Sequence, residues 1–252
     1  SPGSIRPVVL DVTDAASVGH AREQVVEVLQ GAPLAALINN AGIGLVAPME
    51  TVEVSALQTI WDVNVLGVVR LTQSFLPTMA AGSRLIILGS IGDRVTVPFG
   101  GPLTSSKWAV ASIAEAFRLE LAARGVLVTL IEPGSIRTDA VTKVESAAAA
   151  TAAHLARTDA GLAERFRRAV AVAVANERRG SDPAVVANAI SRVLDAHRPP
   201  TRVLVGKHAR LMAAAAAVLP DPVLDPLRLR LFHQTAASLP REPARAATAA
   251  AS

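Results

Sequence analysis

Three short apolar runs, each closing on a turn of small or polar residues and each followed by helical patterning, constrain this chain more than any other feature. Residues 34–38 lead into Asn39-Asn40-Ala41-Gly42, Arg84–Leu88 into Gly89-Ser90, and residues 126–132 into Pro133-Gly134. Runs of five to seven β-type residues are too short for buried helices and have the length of strands covered on both sides. The helical stretches between them carry apolar stripes. Residues 104–124 place Val110, Ile113, Ala114, Phe117 and Leu121 on one face, and Gly125 follows as a stop. Strands alternating with amphipathic helices predict an α/β fold, a doubly wound parallel sheet forming a single domain.

The remaining segments extend the pattern. Residues 8–12 read as another short buried strand, with Asp14 as the N-cap of a helix over residues 15–30. Residues 52–80 are helical with breaks, and Asn64 lies among apolar neighbours where an amide needs a partner. Residues 139–179 predict one or two helices over the carboxyl edge of the sheet. Ser181-Asp182-Pro183 starts a further helix, and Arg202–Val205 is a last strand ending at Gly206. Two amphipathic pieces follow, residues 208–219 and 223–232. The domain is expected to occupy residues 1–235, with a disordered tail over residues 236–252.

Composition narrows the function classes. At 252 residues and 51% apolar content the chain can bury a large core and is not a disordered protein. No apolar run reaches the roughly 18–20 residues of a membrane span, and no secretory leader is evident in residues 1–30. With no Cys there are no disulfides, thiolate metal sites or Cys nucleophiles, which fits a cytoplasmic protein. The five His (20, 154, 197, 208 and 233) show no metal-ligand spacing. The net charge of +4 rests on 22 Arg and three Lys. Clusters such as Arg165-Phe166-Arg167-Arg168 read as solvated helix faces, and no nucleic-acid module accompanies them.

The segment around Arg84–Leu88 concentrates the functional signal. Ser90 falls just beyond a strand's carboxyl end, where open α/β sheets bind ligands. Lys107 follows in the first turn of the next helix. With Asn39-Asn40-Ala41-Gly42, Asn64 and Pro133-Gly134 through Thr138, this frame resembles the short-chain dehydrogenase/reductase family. The family carries a Ser, then thirteen positions later the Tyr of a Tyr-x-x-x-Lys helix. The chain's ending, Arg202–Val205 with Gly206-Lys207 and a later Leu-Pro-Asp, is similar to the branch acting on steroids, retinoids and other lipophilic alcohols.

The resemblance implies NAD or NADP as cofactor, a small lipophilic substrate, and a homodimer or homotetramer. It implies catalytic roles for Ser90, Lys107 and Asn64, with Asn64 holding a relay water. Lys107 would also bind the ribose hydroxyls, and Asp11 with Val12 would meet the adenine. Asn40, Ala41 and Gly42 would flank the adenosine half; Pro133, Gly134, Ile136 and Thr138 would hold the carboxamide. From the residues alone, Asp11 reads equally as a turn cap, and Asn64 as a partner for buried backbone.

Two departures stand against the family pattern. The family's opening strand, its glycine-rich turn, a helix and a second strand precede the position of Val8, and these 252 residues do not contain them. The first βαβ unit is therefore incomplete, by on the order of fifty residues. Residues 8–12 should then lack a neighbouring strand, and the strand at residues 34–38 should keep one open edge. The Tyr position is Leu103, and the chain contains no Tyr at all. Leucine cannot carry a proton, so the resemblance implies slow turnover through water, Ser90 or Thr104, or a catalytically silent relative that binds a ligand or partner.

Overall fold

The computed structural model describes residues 4–235, so the expected disorder of residues 236–252 lies outside the described residues. At its centre is a parallel sheet of four strands: β1 (Ala36–Asn39), β2 (Arg84–Leu88), β3 (Leu127–Pro133) and β4 (Arg202–Val205). They lie side by side in chain order, with Leu85 opposite Val128 and Ile131 opposite Val203. Helices α1 (Ala15–Leu29), α2 (Val54–Trp61), α3 (Gly67–Phe75) and α4 (Gly101–Glu120) precede β3. After it come α5 (Ala140–Leu155), α6 (Ala160–Arg178), α7 (Ala184–Asp195), α8 (Ala209–Val218) and α9 (Asp221–Leu231).

Successive side chains of a strand point to opposite faces, and β2 shows both faces covered. Leu85 and Ile87 enter a cluster with Val65, Val68 and Val110, under α3 and α4. Ile86 enters another with Ile131, Ala189 and Val193, under α7. Leu85, Ile86, Ile87 and Ile131 are all completely buried, which explains the unbroken apolar run. The doubly wound α/β expectation is met.

At the start of the chain one expectation is met and another is not: residues 8–12 lack a neighbouring strand, as anticipated, but they do not form the buried strand their composition suggests. Residues 8–11 have no regular secondary structure, Val12 enters a turn, and none of them pairs with a strand; Val9 is 92% accessible and only Val12 is buried. Val12 packs with Val18, Leu71 and Phe75 between α1 and α3. Arg70, paired with Asp62 at 3.1 Å, donates to the Val12 carbonyl. A strand exists only where a neighbour takes its hydrogen bonds, and among the described residues none lies beside this segment to do so. As anticipated, β1 lies at a sheet edge with Ile38 partly exposed.

Other boundaries move for local reasons. Helix α4 begins three residues earlier than the pattern suggested, with Pro102 in its opening turn. Proline suits that turn because its missing N–H is one the helix would leave unpaired. Lys107 therefore sits in the second turn. The capping expectation for α1 holds, with Asp14 accepting from Ala16 N at 2.9 Å, whereas α7 starts after Pro183, and Asp182 accepts from Ala184 N at 2.9 Å from one residue further out. Residues 139–179 form the α5–α6 hairpin, whose Phe166 is fully buried and meets Phe99 edge-on at 5.5 Å. Val46 and Phe99 pack on this hairpin from loops that follow β1 and β2, which puts it over the carboxyl edge.

Candidate active site

The residues that the sequence singled out gather at the carboxyl ends of β1 and β2. Helix α2 passes into α3 through a π-helical turn, Asp62–Leu66, that contains Asn64. Such one-turn widenings occur often at functional sites. Asn64 is 2% exposed and all of its amide is engaged. Its Oδ1 accepts from Ile43 N at 2.8 Å, and Nδ2 donates to Ile43 O and to Ser106 Oγ, both at 3.0 Å. The side chain thus holds the loop after β1 against α4, so its structural role is established by contact. Asn64→Ala leaves those backbone groups unpaired and should lower stability by about 1–3 kcal/mol, read by urea denaturation.

Lys107 runs from α4 toward the same place. Its ammonium is buried and donates to the Leu88 carbonyl at 3.3 Å, two residues before Ser90. Burial lowers it to about 8, opposed by the negative charge of Asp93. A methyl group built on Gly42 would lie 3.3 Å from Asn64 Oδ1 and 3.9 Å from Lys107 Nζ. Gly42, Asn64 and Lys107 therefore converge. Ser90 caps the short turn Ile91–Asp93, its Oγ accepting from Gly92 N at 3.1 Å while its own hydrogen stays available.

Around this centre the remaining candidates separate. Val12, Asn40 and Ala41 line one cavity of about 110 Å³, together with Leu10, Ile38 and Asn39. Asp11 is exposed, and its carboxylate binds Thr13 N at 2.8 Å and Thr13 Oγ1 at 2.7 Å. Those bonds hold its pKa below the usual range, the backbone one most, and its visible role is the turn. Pro133 ends β3. Gly134 is required by close approach, since a Cβ there would sit 2.3 Å from Lys207 O. Ile136 N–H is already donated to Glu177 at 3.2 Å, and Thr138 lies exposed before α5.

Leu103 lies partly buried one turn before Lys107. Thr104, which the sequence offered as a substitute, is buried, with its hydroxyl donated to Gly100 O at 3.1 Å. Sequence reasoning also missed a charged group in the turn after Ser90, in which the buried carboxylates of Asp93 and Glu132 meet the partly exposed Arg94 and Arg202. Glu132 was the available signal: an acid in an apolar strand demands a cation.

A nicotinamide cofactor can be tested against these residues. An ammonium has three N–H groups and Leu88 takes one, which leaves two for sugar hydroxyls. Gly42 leaves open the space a side chain would fill beside it. The residues fit the riboside end of such a group. Among the described residues there is no cluster able to hold a metal ion and no helix long and apolar enough to cross a membrane.

A parallel sheet wrapped on both faces, with ligand-facing groups at its carboxyl ends, defines a dinucleotide-binding type of α/β domain. The family model for short chain dehydrogenases matches residues 2–149. The chain is 30% identical to the NADPH-dependent 3-dehydrocapnine reductase of Ornithobacterium rhinotracheale over 96% of its own length and 84% of that protein's. It belongs to the short-chain dehydrogenase family. Human 17-beta-hydroxysteroid dehydrogenase type 1 is 38% identical over 57% of this chain, a stretch that spans only 43% of the relative. A solved short-chain dehydrogenase from Streptomyces avermitilis superposes with a TM-score of 0.66 at 23% identity, covering 89% of this chain and 76% of its own, and supports the fold.

Proposed function

We propose that this protein is an NAD(P)-dependent oxidoreductase interconverting a lipophilic alcohol and its ketone, with Ser90, Lys107 and Asn64 at the reacting end. The observation that carries the reading is the convergence of Gly42, Asn64 and a buried Lys107 ammonium with donors to spare. Lys107 would bind the ribose hydroxyls, and Asp11, Val12, Asn40, Ala41 and Gly42 would flank the adenosine half. Pro133, Gly134, Ile136 and Thr138 would border the carboxamide. When bound, the nicotinamide supplies or accepts hydride. Ser90 Oγ–H is free to hydrogen-bond the substrate oxygen.

A lipophilic substrate is part of this reading; the groove of about 470 Å³ between α5 and α6, lined by Ala148, Ala152, Phe166 and Val170 with Glu145 and Arg167, includes none of Ser90, Lys107 or Asn64. Relatives named for steroid and 3-dehydrocapnine substrates point to the lipophilic substrate. Assembly as a homodimer or homotetramer is what the family resemblance implies. A cytoplasmic location belongs to the same proposal.

A second reading has its own observation. Leu103 carries no proton, and Thr104 is turned inward. The protein would then bind cofactor or a partner without turning over. NADPH fluorescence titration tests whether the nicotinamide site exists, using the chain joined to a glycine-rich opening unit ahead of Val8. Lys107→Met should weaken binding about ten- to a hundredfold, the loss of a hydrogen-bonded charge. Equal affinity in both proteins would remove the site from this place.

A further inference from the structure

The segment that follows β3 has its backbone donors committed, and one of them is committed differently from the rest. Gly134 N–H goes to Val205 O at 2.8 Å, Ser135 N–H to Lys207 O at 3.3 Å and Arg137 N–H to Ser181 O at 2.9 Å. Each of these ends on a main-chain carbonyl, and breaking it would move two stretches of chain. Of the four, only Ile136 N–H ends on a side chain, donating to Glu177 Oε2 at 3.2 Å. A carboxylate on a flexible stem can leave by changing rotamer while the backbone stays in place.

Glu177 is brought there by a pinned part of the fold. It lies in the last turn of α6, and the chain just beyond is fastened to the same segment. Ser181 N–H donates to Ser135 O at 2.9 Å, and Gly180 comes so close that a Cβ there would sit 2.6 Å from that oxygen. The end of α6 therefore stays beside Ile136 even when the carboxylate turns aside. An amide N–H carries a single hydrogen. While Glu177 holds it, no carboxamide oxygen can take it.

We propose, resting on the oxidoreductase reading, that Glu177 is an internal competitor for the nicotinamide carboxamide. Its carboxylate holds Ile136 N–H before the cofactor binds, and binding exchanges one acceptor for the other. The contact keeps the loop after β3 in shape and lowers affinity for the nicotinamide end by the cost of that exchange. Because Glu177 belongs to α6, the exchange also couples the α5–α6 hairpin to the cofactor.

Reduced nicotinamide mononucleotide is the probe, because it carries the carboxamide and the riboside and needs no adenosine site. Its fluorescence is titrated with the parent chain, Glu177→Gln and Glu177→Ala. Ribose 5-phosphate, an anion without the carboxamide, is measured by competition as the control for simple loss of negative charge. Mononucleotide binding should tighten about tenfold in Glu177→Ala, the worth of one competing hydrogen bond. In Glu177→Gln it should tighten less, since a neutral amide oxygen competes more weakly than a carboxylate but still competes. Affinity for ribose 5-phosphate should be the same in all three proteins. Without any ligand, the Ile136 amide proton should move upfield in Glu177→Ala, and the amide spectrum shows which variants are folded. Equal or weaker mononucleotide binding in a folded variant, the result if Glu177 only braces the loop, overturns the proposal. So does equal tightening for both ligands, or an Ile136 amide that does not move. Failure of the oxidoreductase reading would look different and would end both: no mononucleotide binding by any of the three proteins, with the Ile136 shift intact.

Discussion

The Leu103→Tyr substitution should raise NADPH-dependent reduction of a hydrophobic ketone by about 10² to 10⁴, the usual contribution of a positioned general acid. Residues four apart on a helix lie one above the other, so a hydroxyl at position 103 would stand beside the Lys107 ammonium. That ammonium would stabilise the phenolate and bring its proton within reach at neutral pH. Ser90 already supplies a second donor. The assay is initial rate by loss of NADPH absorbance, in the chain joined to a glycine-rich opening unit, with cofactor affinity measured in parallel. Unchanged affinity with turnover only in the variant assigns the parent protein to the silent class. Equal rates in both would show that proton transfer runs through another group, and the frame around Leu103 would lose its meaning.

Removing Arg94 should cause the largest loss of stability. Arg94→Leu keeps most of the apolar stem and deletes the fork that holds Glu132, whose carboxylate is completely buried. Removing one of the two arginines on a buried carboxylate leaves Glu132 with Arg202 alone at 3.5 Å, and up to about 3–5 kcal/mol of unfolding free energy should disappear. Hydrogen bonding to Glu132 is the main cause of a raised Arg94 pKa, so the guanidinium remains charged throughout the accessible range. The deficit should depend on pH. Asp93, held near 7 in the folded state against about 4 when unfolded, binds more protons folded than unfolded between those values. Its own contribution is therefore fully present below about 4 and is lost as pH rises through 7. Without Arg94 the carboxyls gain more from protonation, so denaturation midpoints of variant and parent should lie closer at pH 5 than at pH 8. A deficit below about 1 kcal/mol, the range of exposed pairs, would mean that Arg202 alone suffices.

Both predictions concern groups whose visibility in the sequence was unequal. Ser90 and Lys107 could be placed from spacing, because a strand end and a helix start are local properties. The alternation of apolar runs with amphipathic helices was likewise enough for the parallel sheet and its wrapping on both faces, though it counted residues 8–12 as a strand that the four-stranded sheet does not contain. Asp93 looked like an ordinary loop acid. Its neighbours Glu132 and Arg202 are 39 and 109 positions away, and only the pairing of β2, β3 and β4 brings them under the Ser90 turn. Thr104 appeared available as a hydroxyl until the helix was seen to begin early enough to turn it onto Gly100 O.

Local pattern by itself determined which stretches are strands or helices and where the ligand-facing turns fall, since periodicity and turn chemistry act within a few residues. Tertiary structure alone decided three things: that Val12 is tucked between α1 and α3 while the residues before it stay exposed; that Asn64 is spent on Ile43 and Ser106; and that two buried acids meet two partly exposed arginines. The physical reason is common to all three. Hydrogen bonding, burial and ionisation depend on which distant groups arrive beside a residue, and that is a property of the packed chain.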